Sequence, residues 1–393
     1  MKKKLVAMLM VSVMALGMAA CGSNESASSA SSDEETESEE SDESSSTEAE
    51  DSEDETETET SDTEFTPSGE TLTVGVQSSV ISVPVVYAEE QGYFDELGLD
   101  VELIVFPNGA PENEGLAAEQ LDVASNGLAS VYSMASGLCD WIGETDTGST
   151  TVKIYAAADS PIFEHQGEIE GKDEMYGSAD TLKGLTVLGP TSTLEQWAAV
   201  AYFNQFGLES GEDFYYTNMD KSAAAQAVIA GQGDIFVASD VNYCTMMEDA
   251  GFKVVATCKE ATDTVFNNGY LARKDIVEER YDDLVLFLQA AYRAADELQN
   301  DPDTRAEFTL QFYTDNGKEA TEDDVMQEIE LRPYILAEDM QADDYAMGQA
   351  MIQVGQFFGS IDVIEADQVE NVPAAVNVGP IQDALGITVK AAE

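Results

Sequence analysis

Short β-branched runs alternate with stretches whose apolar residues recur every three or four positions, from Thr71 to beyond Ala272. The short runs predict strands at 71–76, 101–106, 123–125 and 152–157, then at 185–188, 214–217, 235–238, 253–257 and 269–272. The helical period predicts helices at 83–91, 114–120, 129–136, 194–206, 223–230 and 242–250, with Gly207 and Gly251 placed as carboxyl caps. Alternating strands and helices specify an α/β fold with mostly parallel sheets. A loop-rich insert at 159–179 separates a first doubly wound unit from a second, and the strand at 269–272 is expected to return to the first sheet.

Beyond residue 282 only the helical period remains. Leu284, Phe287, Leu288, Ala291, Tyr292 and Ala295 form one stripe over 282–299, and further helices are predicted at 303–313, 322–332 and 340–358. No internal repeat is present.

The amino terminus follows different rules. Lys2, Lys3 and Lys4 precede an apolar run, Leu5 to Leu16, with small residues Ala19 and Ala20 before Cys21. The run is shorter than the roughly 20 residues a membrane-spanning helix requires, so residues 1–20 read as an export signal. From Gly22 to Glu64 the chain is almost entirely Ser, Thr, Glu and Asp, with about 19 acids and no Lys or Arg. Such a segment buries too little apolar surface to offset ordering entropy, so 21–64 is expected to be a disordered, extended tether.

Charge changes the functional picture. The 393 residues hold 78 Asp and Glu against 17 Lys and Arg, a formal charge of −61, which excludes a phosphate-neutralising nucleic-acid binder. Without signal and tether, the remaining chain from Phe65 still carries about −45 and is long enough for two lobes.

Four cysteines include Cys21, leaving Cys139, Cys244 and Cys258; a Cys244–Cys258 disulfide and free thiols both fit the spacing. One histidine, His165, lies in the insert, and no Cys/His spacing suits zinc. No nucleophile elbow, Walker loop or dinucleotide fingerprint occurs, and no cofactor is called for.

Met18-Ala19-Ala20-Cys21-Gly22 resembles the lipobox of bacterial lipoproteins, which implies lipidation at Cys21 and anchoring on the extracytoplasmic face of the cell membrane. Gly92-Tyr93-Phe94-Asp95-Glu96-Leu97-Gly98, Leu116 to Ala124, Leu182-Lys183-Gly184 and Ile229 to Asp234 together resemble solute-binding proteins of ABC importers of the nitrate/taurine/sulfonate/thiamine-precursor type. The match runs in order from Leu72 to about Tyr334, departing by insertions at 143–150 and 161–179. The resemblance implies a two-lobed periplasmic-binding-protein-like fold of type II, two doubly wound sheets joined by crossings near Ala157 and Thr264. Lobe 1 would comprise 65–158 plus 264–393, and lobe 2 159–263. It implies a monomer that takes a small-molecule solute and hands it to an ABC permease and its ATPase.

In such sheets ligands bind beyond the carboxyl ends of strands, near helix amino termini. The candidate ligand residues are therefore Gln77, Ser78 and Ser79 after the first strand, Asn126 and Gly127 after the third, Thr191, Ser192 and Thr193 opening the second lobe's first helix, Asp240 after the strand at 235–238, and Asn268 near the returning crossing. Ser78 and Ser79 also read as helix caps, Thr193 as part of a capping box, and Asp240 as a cap for the next helix. Trp197, Tyr243, Phe266 and Tyr87 could stack on a flat ligand or fill the core. None of the loops named carries Lys or Arg, and the net charge opposes a bare anion, so the reading leans to a zwitterionic or weakly charged solute. A pyrimidine-synthase-like enzyme of the same fold and a sensor serving a membrane receptor are the alternatives.

Overall fold

Leu72, Val74 and Val76 of β1 (Leu72–Gln77) are fully buried, because this strand lies inside a sheet covered by helices. Gly75 lets a neighbour pack against the same strand: a Cβ there would fall 2.8 Å from Leu121 Cδ1. The computed structural model describes residues 65–393. The expected signal at 1–20, lipidated Cys21 and tether at 21–64 lie outside the described residues. Among the described residues no helix is long and apolar enough to cross a membrane.

The first sheet has the order β2-β1-β3-β10-β4, with β2 Val101–Phe106, β3 Val123–Asn126, β4 Cys139–Thr147 and β10 Asn267–Arg273. The second has the order β7-β6-β8-β5-β9, with β5 Lys153–Ala157, β6 Thr186–Gly189, β7 Tyr215–Asn218, β8 Ile235–Ala238 and β9 Phe252–Thr257. In each sheet the two pairs at the head of the order are parallel, and one strand runs against both its neighbours: β10 in the first, β5 in the second. Each reversed strand is the one that enters its sheet from the other lobe. This is the two-lobed α/β architecture expected.

Two expectations are corrected. The strand at 152–157, read as part of the first unit, pairs with β8 and β9 in the second sheet, so the first crossing spans 148–152 and lies before Ala157, not beside it. Its place in the first sheet is taken by β4, which covers much of the stretch read as an insertion at 143–150. β4 escapes the apolar pattern because Glu144 and Asp146 lie within it, both buried.

Helix ends follow local chemistry. Helix α1 (Val83–Gln91) starts with Pro84 in its first turn and stops at Gly92, whose φ of 77° is open to glycine at little cost. Asn108 caps α2 (Gly109–Ala117) by accepting from Ala110 N. Helix α3 is Ser130–Ala135, and α4, Leu194–Gln205, is capped by Thr193. Asp220 caps α5 (Lys221–Ile229) through two backbone N–H groups, and α6 is Val241–Asp249.

The predicted stripe of the carboxyl-terminal region forms α7 (Tyr281–Asn300), where Phe287 stacks on Phe94 with centroids 5.8 Å apart. Burying such a ring contributes about 2–3 kcal/mol. Helices α8 (Pro302–Asp315), α9 (Glu322–Leu331) and α10 (Gln349–Ser360) complete this region. One apolar cluster is continuous from Leu72 and Phe94 to Phe203 and Val255, so the lobes share a core beside the crossings.

The crossings bond to each other and to both lobes. Ser149 N donates to Phe266 O (3.1 Å), and Phe266 N to Ser149 Oγ (2.8 Å). Thr150 Oγ1 donates to Leu331 O in the first lobe, and Thr151 Oγ1 to Ser239 O in the second (2.7 Å). Successive threonines are thus fastened to opposite lobes.

Candidate functional site

The loops after β1 and β3 confront those after β6 and β8 across these crossings. Tyr132 of α3 stands beside Ser192, and Asp240 lies in the field of Lys318 and Arg332 from the first lobe. The strand ends thereby become two walls of one cleft.

The first wall is neutral. Gln77 Nε2 donates to Glu112 Oε2 (2.8 Å) and Ser125 O (3.0 Å), so Gln77 is committed within the wall. Burial drives the Glu112 carboxyl well above the usual range, and the Gln77 hydrogen bond opposes this without overcoming it. Ser78 Oγ is buried without a partner. Ser79 precedes a short 3-10 turn and makes no side-chain cap, its N donating to Gln77 O.

Asn126 turns inward, its Nδ2 donating to Gly109 O (3.1 Å) and Asn113 Oδ1 (3.3 Å) while Oδ1 accepts from Gly127 N (2.7 Å). Gly127 lets the chain pass Asn268, whose Oδ1 would lie 2.8 Å from an added Cβ. Asn268 Nδ2 in turn donates to both oxygens of Asp146. Asn126, Gly127 and Asn268 therefore shape the wall from within.

Four further groups join Ser78: Ser130 Oγ, Thr147 Oγ1 and Asn267 Oδ1 are likewise buried and without partners, and Tyr132 OH is buried with Ser192 beside it but outside good hydrogen-bond geometry. Ser78 follows β1, Ser130 and Tyr132 follow β3, and Thr147 and Asn267 face each other at the ends of β4 and β10, all at the edge where the crossings leave the sheet. Unpaired buried polar atoms are costly, and five of the eleven among the described residues lie on this edge. Asn267 Nδ2 donates to Glu144 Oε2 (2.6 Å), leaving its carbonyl oxygen as a pure acceptor.

The second wall is charged. Lys221 Nζ lies 2.6 Å from Glu195 Oε1, 2.9 Å from Asp240 Oδ2 and 2.8 Å from Ser239 Oγ, and Ser239 Oγ donates to Glu195 Oε1 (2.5 Å). Burial works against ionising Glu195 and Asp240, yet Lys221 outweighs it and holds both carboxyls below their usual range. Burial likewise pulls Lys221 down, and the two carboxylates override it, raising the ammonium.

Asp240 makes no side-chain cap bond, so the cap reading fails for it. Thr193 is a true cap, accepting from Gln196 N (3.4 Å) and donating to Pro190 O (3.0 Å). Thr191 is exposed, with its N on Asn218 Oδ1 (3.2 Å). Ser192 takes φ 60°, a left-handed conformation for a non-glycine residue, with its N bound to Gln196 Oε1 (2.7 Å).

The sequence reading missed Glu195, Lys221, Tyr132, Ser130 and Thr147 as site residues, and it offered Asn267 beside Asn268 only as a weaker candidate. Lys221 was legible: it follows the Asp220 cap by one residue, and only the late placement of the helix start, at 223, kept it from the wall. Trp197 packs edge-on to Phe266 (6.4 Å) and Tyr87 edge-on to Phe308 (5.0 Å), both as core or near-core rings. His165 Nδ1 lies 2.6 Å from Glu168 within the insert, away from both walls. Cys139, Cys244 and Cys258 are free and buried, so the Cys244–Cys258 disulfide is not formed.

Two α/β lobes, double crossings and opposed strand ends define the periplasmic-binding-protein fold. The NMT1/THI5 like family model matches residues 81–305, over half of the chain, and the chain belongs to that family. A protein of Brachyspira hyodysenteriae named as an ABC transporter periplasmic binding protein is 27% identical over 317 residues, covering 80% of this chain and 90% of the relative. Among solved structures, the aliphatic sulphonate binding protein SsuA of Escherichia coli superposes with a TM-score of 0.59 at 18% identity, over 75% of this chain and 94% of its own. The nitrate-binding protein NrtA of Synechocystis superposes with a TM-score of 0.58 at 14% identity, over 81% and 89%.

Proposed function

We propose that this chain is the solute-binding component of an ABC importer, a lipid-anchored protein at Cys21 that captures a small organic solute in the interlobe cleft and delivers it to a membrane permease. The row of unpartnered buried polar atoms at Ser78, Ser130, Tyr132, Thr147 and Asn267 carries the reading, because it gives a small polar molecule a prepared set of contacts. The relative's name supports the transporter context. The mechanism is capture without chemistry: a solute touching both walls favours the closed arrangement by its differential contacts, and the closed form docks on the permease.

Thr191 and Ser192 are assigned to the cleft mouth, Ser78 to direct contact, and Gln77, Asn126, Gly127 and Asn268 to positioning. Ser79 and Thr193 contribute backbone shape. A thermal-shift panel of taurine, alkanesulfonates, nitrate, aminopyrimidines and small zwitterions tests the reading, since a native-state ligand raises the melting temperature by mass action. At least one solute should shift the wild type and lose its effect in Asn267→Leu. Equal shifts in both proteins would refute the cleft assignment.

A further inference from the structure

A helix amino terminus facing a cleft is an anion site by default, because its free N–H groups and dipole favour negative charge. Helix α4 meets the description, opening behind Pro190-Thr191-Ser192-Thr193 on the second wall. In this chain that position is already taken. Glu195, in the first turn, is 4% exposed, and its carboxylate is held by Lys221, by Ser239 and by its own backbone N–H.

Two of the three cations near the cleft are equally committed, and the third, Lys318, is held over a ring. Lys221 bridges Glu195 and Asp240. Arg332 binds Asp146 Oδ2 through Nη2 at 2.6 Å and Glu328 Oε1 through Nη1 at 3.2 Å. Lys318 sits over the Tyr313 ring, its Nζ 3.5 Å from the centroid. Against these three cations stand four carboxylates, Glu195, Asp240, Asp146 and Glu328, which leaves the surroundings of the cleft with one uncompensated negative charge. On the opposite wall the unpartnered atoms are four hydroxyls, Glu112 Oε1 and the Asn267 amide oxygen, and the amide oxygen can only accept.

We infer that the cleft selects a solute presenting a protonated amine or comparable N–H donors and rejects simple oxyanions, with the Glu195–Lys221 pair occupying the anion position from within. The inference rests on the cleft being the solute site. The Asn267 amide oxygen on the first wall and the surplus carboxylate on the second each attract a donor, while the hydroxyls between them serve either a donor or an acceptor. Among the cations named, only Lys318 lies outside an ion pair, and it is held over the Tyr313 ring in the field of Glu328 and Asp240. The structural neighbours named for sulphonate and nitrate thus share the fold while the charge arrangement here favours another ligand class.

Calorimetric titration of methanesulfonate, nitrate and an amine panel (ethanolamine, taurine, a 4-aminopyrimidine) into wild type, Glu195→Gln and Asn267→Leu separates the possibilities. Wild type should bind a member of the amine panel and neither simple anion. Glu195→Gln, which keeps the side-chain shape and leaves Lys221 with Asp240 as its one counter-ion, removes the surplus negative charge and should gain at least about tenfold in methanesulfonate affinity. Asn267→Leu should lose the amine ligand. Tight wild-type binding of methanesulfonate or nitrate that Asn267→Leu abolishes would overturn the charge argument while leaving the cleft assignment intact. Ligand binding that Asn267→Leu leaves untouched would overturn both. Lys221→Met provides a second check: removing the cation should not create anion binding, and a gain there would also contradict the inference.

Discussion

The two walls of the cleft solve the same problem, a polar surface at buried strand ends, by opposite chemistry. The first holds two buried acids, Glu112 and Glu144, on hydrogen bonds alone. Glu112 and Glu144 have no cation beside them, and burial pushes both carboxyls up despite hydrogen bonds from Gln77 in one case and from Gly348, Asn267 and Tyr345 in the other. The second wall keeps its acids ionised around one lysine. A neutral wall can leave hydroxyls and an amide oxygen open for a ligand, whereas a charged wall has to close its network on itself. In the proposed binding mode, selectivity by hydrogen-bond geometry would belong to the first lobe and selectivity by charge to the second.

Breaking the charged wall should have the larger effect. Lys221→Met leaves Glu195 buried beside Asp240 without a counter-ion and is expected to cost about 3 kcal/mol, measured by urea unfolding at neutral pH. A loss below half of that would mean the second wall is solvated and not a closed network.

On the neutral wall, Gly148→Ala is expected to cost about 1–3 kcal/mol, because its Cβ would fall 2.6 Å from Asn268 Nδ2 and displace the bond to Asp146. The same unfolding assay applies. An unchanged midpoint would show that the Asn268–Asp146 contact is loose.

The pH responses of the walls should have opposite signs. Glu112 and Glu144 have raised carboxyls, so their contribution is fully present below the unfolded value of 4.5 and is lost as pH rises through the folded value. Glu195 and Asp240 have lowered carboxyls, so theirs is present above the unfolded values, 4.5 and 3.8, and is lost as pH falls through the folded ones. Glu112→Gln should flatten the alkaline limb of the melting-temperature profile, and Glu195→Gln the acid limb. Both variants flattening the same limb would erase the distinction between the walls.

The smallest effect concerns Ser192. With φ at 60°, Ser192→Gly should relieve local strain and stabilise by about 0.5–1 kcal/mol, partly offset by the flexibility gained in the unfolded chain. A destabilisation above that range would show that the serine hydroxyl holds the loop.

What could be read from the chain divides along the same line. The second sheet's parallel strands, the α7 stripe and the return of β10 were legible, since each follows apolar periodicity. β4 was not, because Glu144 and Asp146 replace apolar residues at buried positions and their partners, Tyr345, Gly348, Arg332 and Asn268, are remote in sequence. β5 was recognised as a strand and placed in the wrong sheet, because periodicity reports burial and not the partner. The candidate loops were found from topology, whereas the direction of each side chain depended on contacts. Asn126 and Gln77 turn inward, while Tyr132, one helical turn beyond the loop named, comes beside Ser192 on the opposite wall.

The central claim is that a solute bound between these walls changes the angle between the lobes. The native thiols suit a distance measurement, since Cys139, Cys244 and Cys258 are buried and burial raises all three, Cys139 and Cys258 to about 12. Spin labels on Glu102→Cys in the first lobe and Tyr215→Cys in the second, both exposed positions, would be read by pulsed electron resonance with the solute giving the largest thermal shift. The account predicts a shift to a shorter, narrower distance distribution on binding, abolished by Asn267→Leu. A distribution that stays the same at saturating solute would contradict it.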